Sequence, residues 1–130
     1  MNTTRILQSL AAVAVVFGAL TVFSGARALF GDAAARAAVG HAVGFVLWFN
    51  FLAGFAYVAA GLGLWIGQPW ARHLAAALAL ATALVAAAFG VHVLGGGAFE
   101  MRTVGALALR LGFWLVVAAV AYRTARAARA

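Results

Sequence analysis

The sequence has no cysteine, no lysine, one proline and only two acidic residues, Asp32 and Glu100. Without cysteine there are no disulfides, thiolate metal sites, Cys-ligated iron–sulfur clusters or thiol–disulfide relays. Without lysine, the formal charge of +7 rests on nine arginines, a residue type that keeps its proton at any working pH. Those arginines are scattered among loops and tail, whereas nucleic-acid binding gathers them on one soluble surface. An ion-coupled transporter generally uses a carboxylate inside the bilayer. Both acids here fall between apolar runs, which argues against a proton-driven pump. Charged residues make up 8% of the chain and hydrophobic ones 68%, a composition that excludes a soluble domain.

Long apolar runs dominate what is there. Val43 to Ile66 carries only Asn50 and Tyr57 as conventional polar side chains, and a bilayer core about 30 Å thick is crossed by about 20 helical residues. Three further runs, Ile6–Leu29, Leu74–Leu94 and Val104–Tyr122, meet the same requirement. The fold class is therefore all-α, an integral membrane four-helix bundle forming a single four-span domain over residues 1–130. A second reading competes for the first run, because Arg5, the apolar stretch and Ala26, Arg27, Ala28 also make a cleavable secretory signal.

The connections read as caps and turns. Gly31 is expected to end the first span in a left-handed cap. Asp32 should then cap a short interfacial helix, Ala33 to Val39, and pair with Arg36 four residues on. Pro69 stops one span and opens the next, with Trp65 and Trp70 marking a water interface. Gly95, Gly96 and Gly97 lack the Lys and Ser/Thr of a phosphate-binding loop and read as a helix stop. Arg5, Arg72, Arg123, Arg126 and Arg129 lie on one side of a four-span chain, and Arg27, Arg36, Arg102 and Arg110 on the other. The cluster after the last span favours cytoplasmic placement of both termini.

Apolar helices in lipid associate through small residues that let backbones approach. Each span has such a stripe: Ala11, Ala14, Gly18, Thr21, Gly25; then Asn50, Gly54, Tyr57, Gly61; then Ala76, Ala79, Ala83, Ala86, Gly90; then Gly105, Gly112, Val116, Ala119. These are the expected packing seams, with Asn50 and Tyr57 as interhelical hydrogen-bonding groups. Rotation by about 100° per residue then turns Trp48, Phe51 and Phe55, and also Arg110 with Trp114, toward lipid or a partner protein. His92 likewise falls off its seam.

His41 and His92 are expected at one interface, where two imidazoles suit haem b or a divalent metal, although no H-E-x-x-H spacing is present. Arg27, Arg36, Arg102 and Arg110 join them in a cationic cluster able to hold an anionic lipid head group or flank a quinone ring. His73, beside Trp70 and Arg72, belongs to the opposite interfacial girdle. No serine or threonine has an evident histidine and carboxylate for nucleophilic catalysis.

The stretch GFAYVAAGLGLWIGQPWARHLAAALALATALV, within Ala53 to Val85, resembles the DoxX-like small four-helix membrane proteins. That resemblance implies a bacterial inner-membrane protein with quinone-linked or oxidative-stress associations, and it carries over no catalytic residue. The expectation is a non-enzymatic accessory or assembly subunit that docks a membrane partner or a second copy. The alternatives are a quinone- or haem-associated redox component and a small permease or channel.

Overall fold

The computed structural model describes residues 2–38 and 40–129, Arg129 by its backbone alone. Five helices follow in order: α1 (Thr3–Phe30), α2 (Ala33–Ala37), α3 (Gly44–Trp65), α4 (Pro69–Leu94) and α5 (Met101–Arg129). No strand occurs among the described residues. Four of the helices, all except α2, are long and apolar enough to cross a bilayer. The chain is thus a small multi-pass membrane protein, with the all-α architecture expected from its apolar runs.

Local chemistry sets the helix ends. Asn2 Oδ1 accepts the Arg5 N–H at 2.9 Å and opens α1, and Gln68 precedes Pro69 at the first position of α4. Asp32 Oδ1 accepts the Ala35 N–H at 2.9 Å and opens α2; Val39, the expected last residue of that helix, lies outside the described residues. Two expectations are corrected here. Gly31 is extended, with φ −72° and ψ 179°, and its N–H closes α1 by donating to Arg27 O at 3.0 Å. Arg36 reaches back to Leu29 O at 3.3 Å, satisfying a C-terminal carbonyl of α1 instead of pairing with Asp32. Left-handed backbone occurs at Gly40, Gly67 and Gly96, where the connections reverse. α5 runs unbroken past Tyr122, so Arg123 and Arg126 ride a helical extension.

The four spans form a ring in chain order: α1 packs on α3, α3 on α4, α4 on α5, and α5 back on α1, the last contact being the thinnest. The α1–α3 contact is the most extensive because both helices present small residues at the crossing. A Cβ built on Gly18 would lie 2.8 Å from Gly54 O, and one on Gly61 would lie 2.8 Å from Ala11 O. Backbone meets backbone there, as small-residue stripes permit. The buried residues of α1 are Ala11, Ala14, Gly18, Thr21 and Gly25; in α3, Gly54, Tyr57 and Gly61 are buried and Asn50 is half-buried.

The other two seams differ from expectation. On α4 the inward face is Ala71, Ala75, Leu78, Ala79, Thr82 and Phe89. Ala76, Ala83, Ala86 and Gly90 are only half-buried, and a Cβ on Gly90 would meet nothing within 4 Å. On α5 the assignment inverts. Gly105, Gly112, Val116 and Ala119 are exposed, and Cβ atoms on Gly105 and Gly112 would meet nothing within 4 Å. The core instead receives Leu107, Trp114, Val117 and Ala121. Large residues enter from α5 because the space across the ring from the α1–α3 crossing must be filled, and van der Waals contact there needs bulk.

Candidate functional site

Inverting α5 brings Arg110 and Trp114, expected to face lipid or a partner, into the bundle. Trp114 is fully buried, its ring 5.0 Å from Tyr57 and 5.1 Å from Phe113. Phe17 completes the layer at 5.5 Å from Tyr57 and 5.6 Å from Phe113. These four rings close the bundle on the side of the α1 N-terminus. Arg110 lies on top of them, its guanidinium 5.2 Å from the centroid of Phe17, within cation–π range. It stands nine residues into α5, about 13 Å along the axis at 1.5 Å per residue.

Above this floor α1, α3 and α5 line a half-open cavity of about 290 Å³, whose polar residues include Thr21, Ser24, Asn50, Thr103 and Arg110. That volume is close to the lower end of the range for small-molecule pockets. Its rim is tied to the connections: Glu100 Oε1 accepts the His41 N–H at 3.0 Å, and Arg102 Nη2 donates to Ala38 O at 2.8 Å. The cavity lies toward the end of the bundle away from Asn2.

Inside, hydrogen bonding is incomplete. Thr21 Oγ1, Asn50 Oδ1, Tyr57 OH, Arg110 Nε and Trp114 Nε1 are buried without a hydrogen-bond partner in the protein. Tyr57 OH is neighboured by Arg110, Trp114 and Thr82, but none of them completes a bond to it, and Thr82 Oγ1 donates to Leu78 O at 2.7 Å. Arg110 makes one hydrogen bond, from Nη1 to Ala106 O at 3.3 Å. Each buried polar group left without a partner costs about 1–3 kcal/mol, and a charged one more. Of the five, Thr21, Asn50 and Arg110 belong to residues that line the cavity, whereas Tyr57 and Trp114 belong to the aromatic layer beneath it.

The remaining candidates lie elsewhere. Neither His41 nor His92 lines the cavity. His92 Nε2 sits 2.9 Å from Ala98 O, closing its own glycine loop, and its ring meets Phe45 edge-on at 6.5 Å. Among the described residues no three of His, Cys, Asp and Glu group as metal ligands. At the opposite end His73 Nδ1 lies 2.7 Å from Tyr122 OH, beneath the Arg72 guanidinium. Trp48 and Phe55 are exposed and Phe51 is half-buried. With Phe30 they form a ladder of edge-to-face rings on the α1–α3 face, 5.3 to 6.2 Å between neighbours.

Sequence reasoning placed Thr21, Asn50 and Tyr57 on the inner seams but did not join them to Arg110 and Trp114. The available signal was the charge itself, since an arginine inside an apolar span usually faces the bundle interior or a water-filled cavity. Compared with known proteins, the chain matches no family model, and no curated protein and no solved structure is significantly similar to it.

Proposed function

We propose that this small multi-pass membrane protein binds an amphipathic molecule of the bilayer, holding its polar head in the cavity between α1, α3 and α5. The observation that carries this reading is Arg110, which lines the cavity together with Thr21 and Asn50, each with a buried polar atom that the protein leaves unsatisfied. A charge held in a span without a partner is costly, and such positions mark binding or conduction sites. The reading keeps the lipid or quinone head expected from the sequence and narrows its site from the cluster of Arg27, Arg36, Arg102, Arg110, His41 and His92 to the cavity at Arg110. With the Arg123 and Arg126 end of α5 on the cytoplasmic side of a bacterial inner membrane, the cavity faces the opposite leaflet.

Gentle extraction followed by native mass spectrometry tests the binding. The wild-type chain should retain one amphipathic molecule per protein after extensive washing, and the double variant Thr21→Val with Asn50→Leu should lose it. A wild-type chain carrying no stoichiometric adduct would overturn the reading.

A second reading, an accessory subunit that docks a membrane partner or a second copy, is favoured by the exposed ladder of Phe30, Trp48 and Phe55. Exposed aromatic rings of this kind are common anchors at interfaces. Trp48→Ala combined with Phe55→Ala should weaken co-purification or self-association without lowering thermal stability by more than about 0.5 kcal/mol. Unchanged association would remove this reading.

A further inference from the structure

A second hollow lies beside the aromatic floor. On the lipid side of Phe17, an apolar groove of about 510 Å³ runs between α1 and α5, where those helices touch least, lined by Val13, Val16, Phe17, Leu20, Leu109 and Phe113. Groove and cavity share no lining residue but are neighbours, because Arg110 of the cavity stacks on Phe17 of the groove. From Thr21 to Val13 the groove runs about 12 Å toward the membrane interior at 1.5 Å per residue. A chamber that carries Arg110 near one end of the bundle, with an open apolar groove beside it, has the outline of a site for a head group and its tail.

The sign of the head follows from the charges. Among the unsatisfied groups of the lining residues, Arg110 Nε only donates, Asn50 Oδ1 only accepts and the Thr21 hydroxyl does both, so hydrogen bonding alone selects no sign. The chain's two carboxylates are engaged elsewhere: Asp32 caps α2, and Glu100 holds the His41 N–H at the rim. The cavity walls carry Arg102, Arg110 and Glu100, leaving one positive charge uncompensated. A neutral ring would satisfy some donors and leave that charge unmatched; an oxyanion answers both.

Resting on the amphiphile reading above, we infer that the ligand is an anionic amphiphile, with a phosphate or carboxylate head in the cavity against Arg110 and a hydrocarbon tail in the α1–α5 groove. The full chain in phosphatidylcholine nanodiscs is titrated with dodecyl phosphate, dodecanoate, dodecyltrimethylammonium, a neutral quinone bearing a saturated tail, and inorganic phosphate alone. Dodecyl phosphate, dodecanoate or both should bind at least about tenfold tighter than the cationic and neutral amphiphiles, and comparison of the two identifies the head. Arg110→Gln should abolish that preference, and Arg110→Lys should retain part of it. Should Arg110→Gln fail to fold, the head-group series on the wild-type chain decides alone.

Tight binding of the quinone without the anions would overturn the anionic assignment and leave the amphiphile reading standing. Inorganic phosphate binding as well as dodecyl phosphate would overturn the tail assignment. Absence of binding by every amphiphile would overturn both.

Discussion

Gly54→Leu should destabilise the protein more than the same change at any glycine of α5. A Cβ at Gly54 would stand 2.8 Å from Val22 Cγ2, 3.1 Å from Gly18 O and 3.1 Å from Val22 N. Two of those three atoms are backbone, so no rotamer change relieves the contact and α1 must move as a whole. Overpacking of this kind costs about 1–3 kcal/mol. The upper end applies here, because separating α1 from α3 also opens the crossings at Gly61 and Gly25. Gly112→Leu is the matched control: its Cβ would meet nothing within 4 Å, and a leucine there adds apolar surface to a lipid-facing position. Its effect should stay within about 0.5 kcal/mol. Thermal unfolding in detergent, followed by circular dichroism, measures both. Equal losses at the two sites would mean that α5, not α1, makes the close approach to α3.

Trp114→Ala should have an effect of similar size by the opposite route. The indole is fully buried, stacked near Tyr57 and Phe113, and forms the floor on which the cavity rests. Removing it leaves a void whose walls lose their dispersion contacts. Large-to-small changes at buried aromatic sites in water-soluble proteins cost about 3–5 kcal/mol. In a bilayer the transfer part of that cost is reduced, because lipid is itself apolar, so a loss of about 3 kcal/mol is expected. Trp114→Phe should recover most of the stability, because the void is largely filled. Had Trp114 faced lipid, alanine would cost almost nothing, so the experiment also checks the rotation of α5.

That rotation marks where the sequence stops being legible. The spans, their turns and the inner face of α1 follow from apolar runs and the spacing of small residues; the five residues of the α1 stripe are its five buried residues. The same rule misplaces α5. Both of its faces repeat every seven residues, Gly105 and Gly112 on one, Leu107, Trp114 and Ala121 on the other, so periodicity cannot choose between them. A small-residue stripe marks a close crossing only if a partner helix is free to take it, and α1 and α3 take each other. α5 therefore meets the ring with bulk. On α4 the buried Ala75, Leu78, Thr82 and Phe89 lie one position before the small residues Ala76, Ala79, Ala83 and Gly90, so the smallest residues do not mark the inward face there either.

The cavity depends on that unreadable rotation. Thr21 and Asn50 were visible as seam residues, and Arg110 as the one charge within the last apolar run. Only the packing brings them to a single chamber. His41 and His92 lie at the connections, where one contributes a backbone N–H to Glu100 and the other closes a glycine loop.

The central claim is that Arg110 points inward and meets the head of a bound amphiphile. An experimental structure of the full chain in nanodiscs made from its native lipids tests it directly. The account predicts density for a head group within hydrogen-bonding reach of Arg110 Nε and Thr21 Oγ1, continuing as a tail beside Leu20 and Leu109. Arg110 extended to the membrane surface, with Trp114 against lipid and Gly112 inside the bundle, would contradict it.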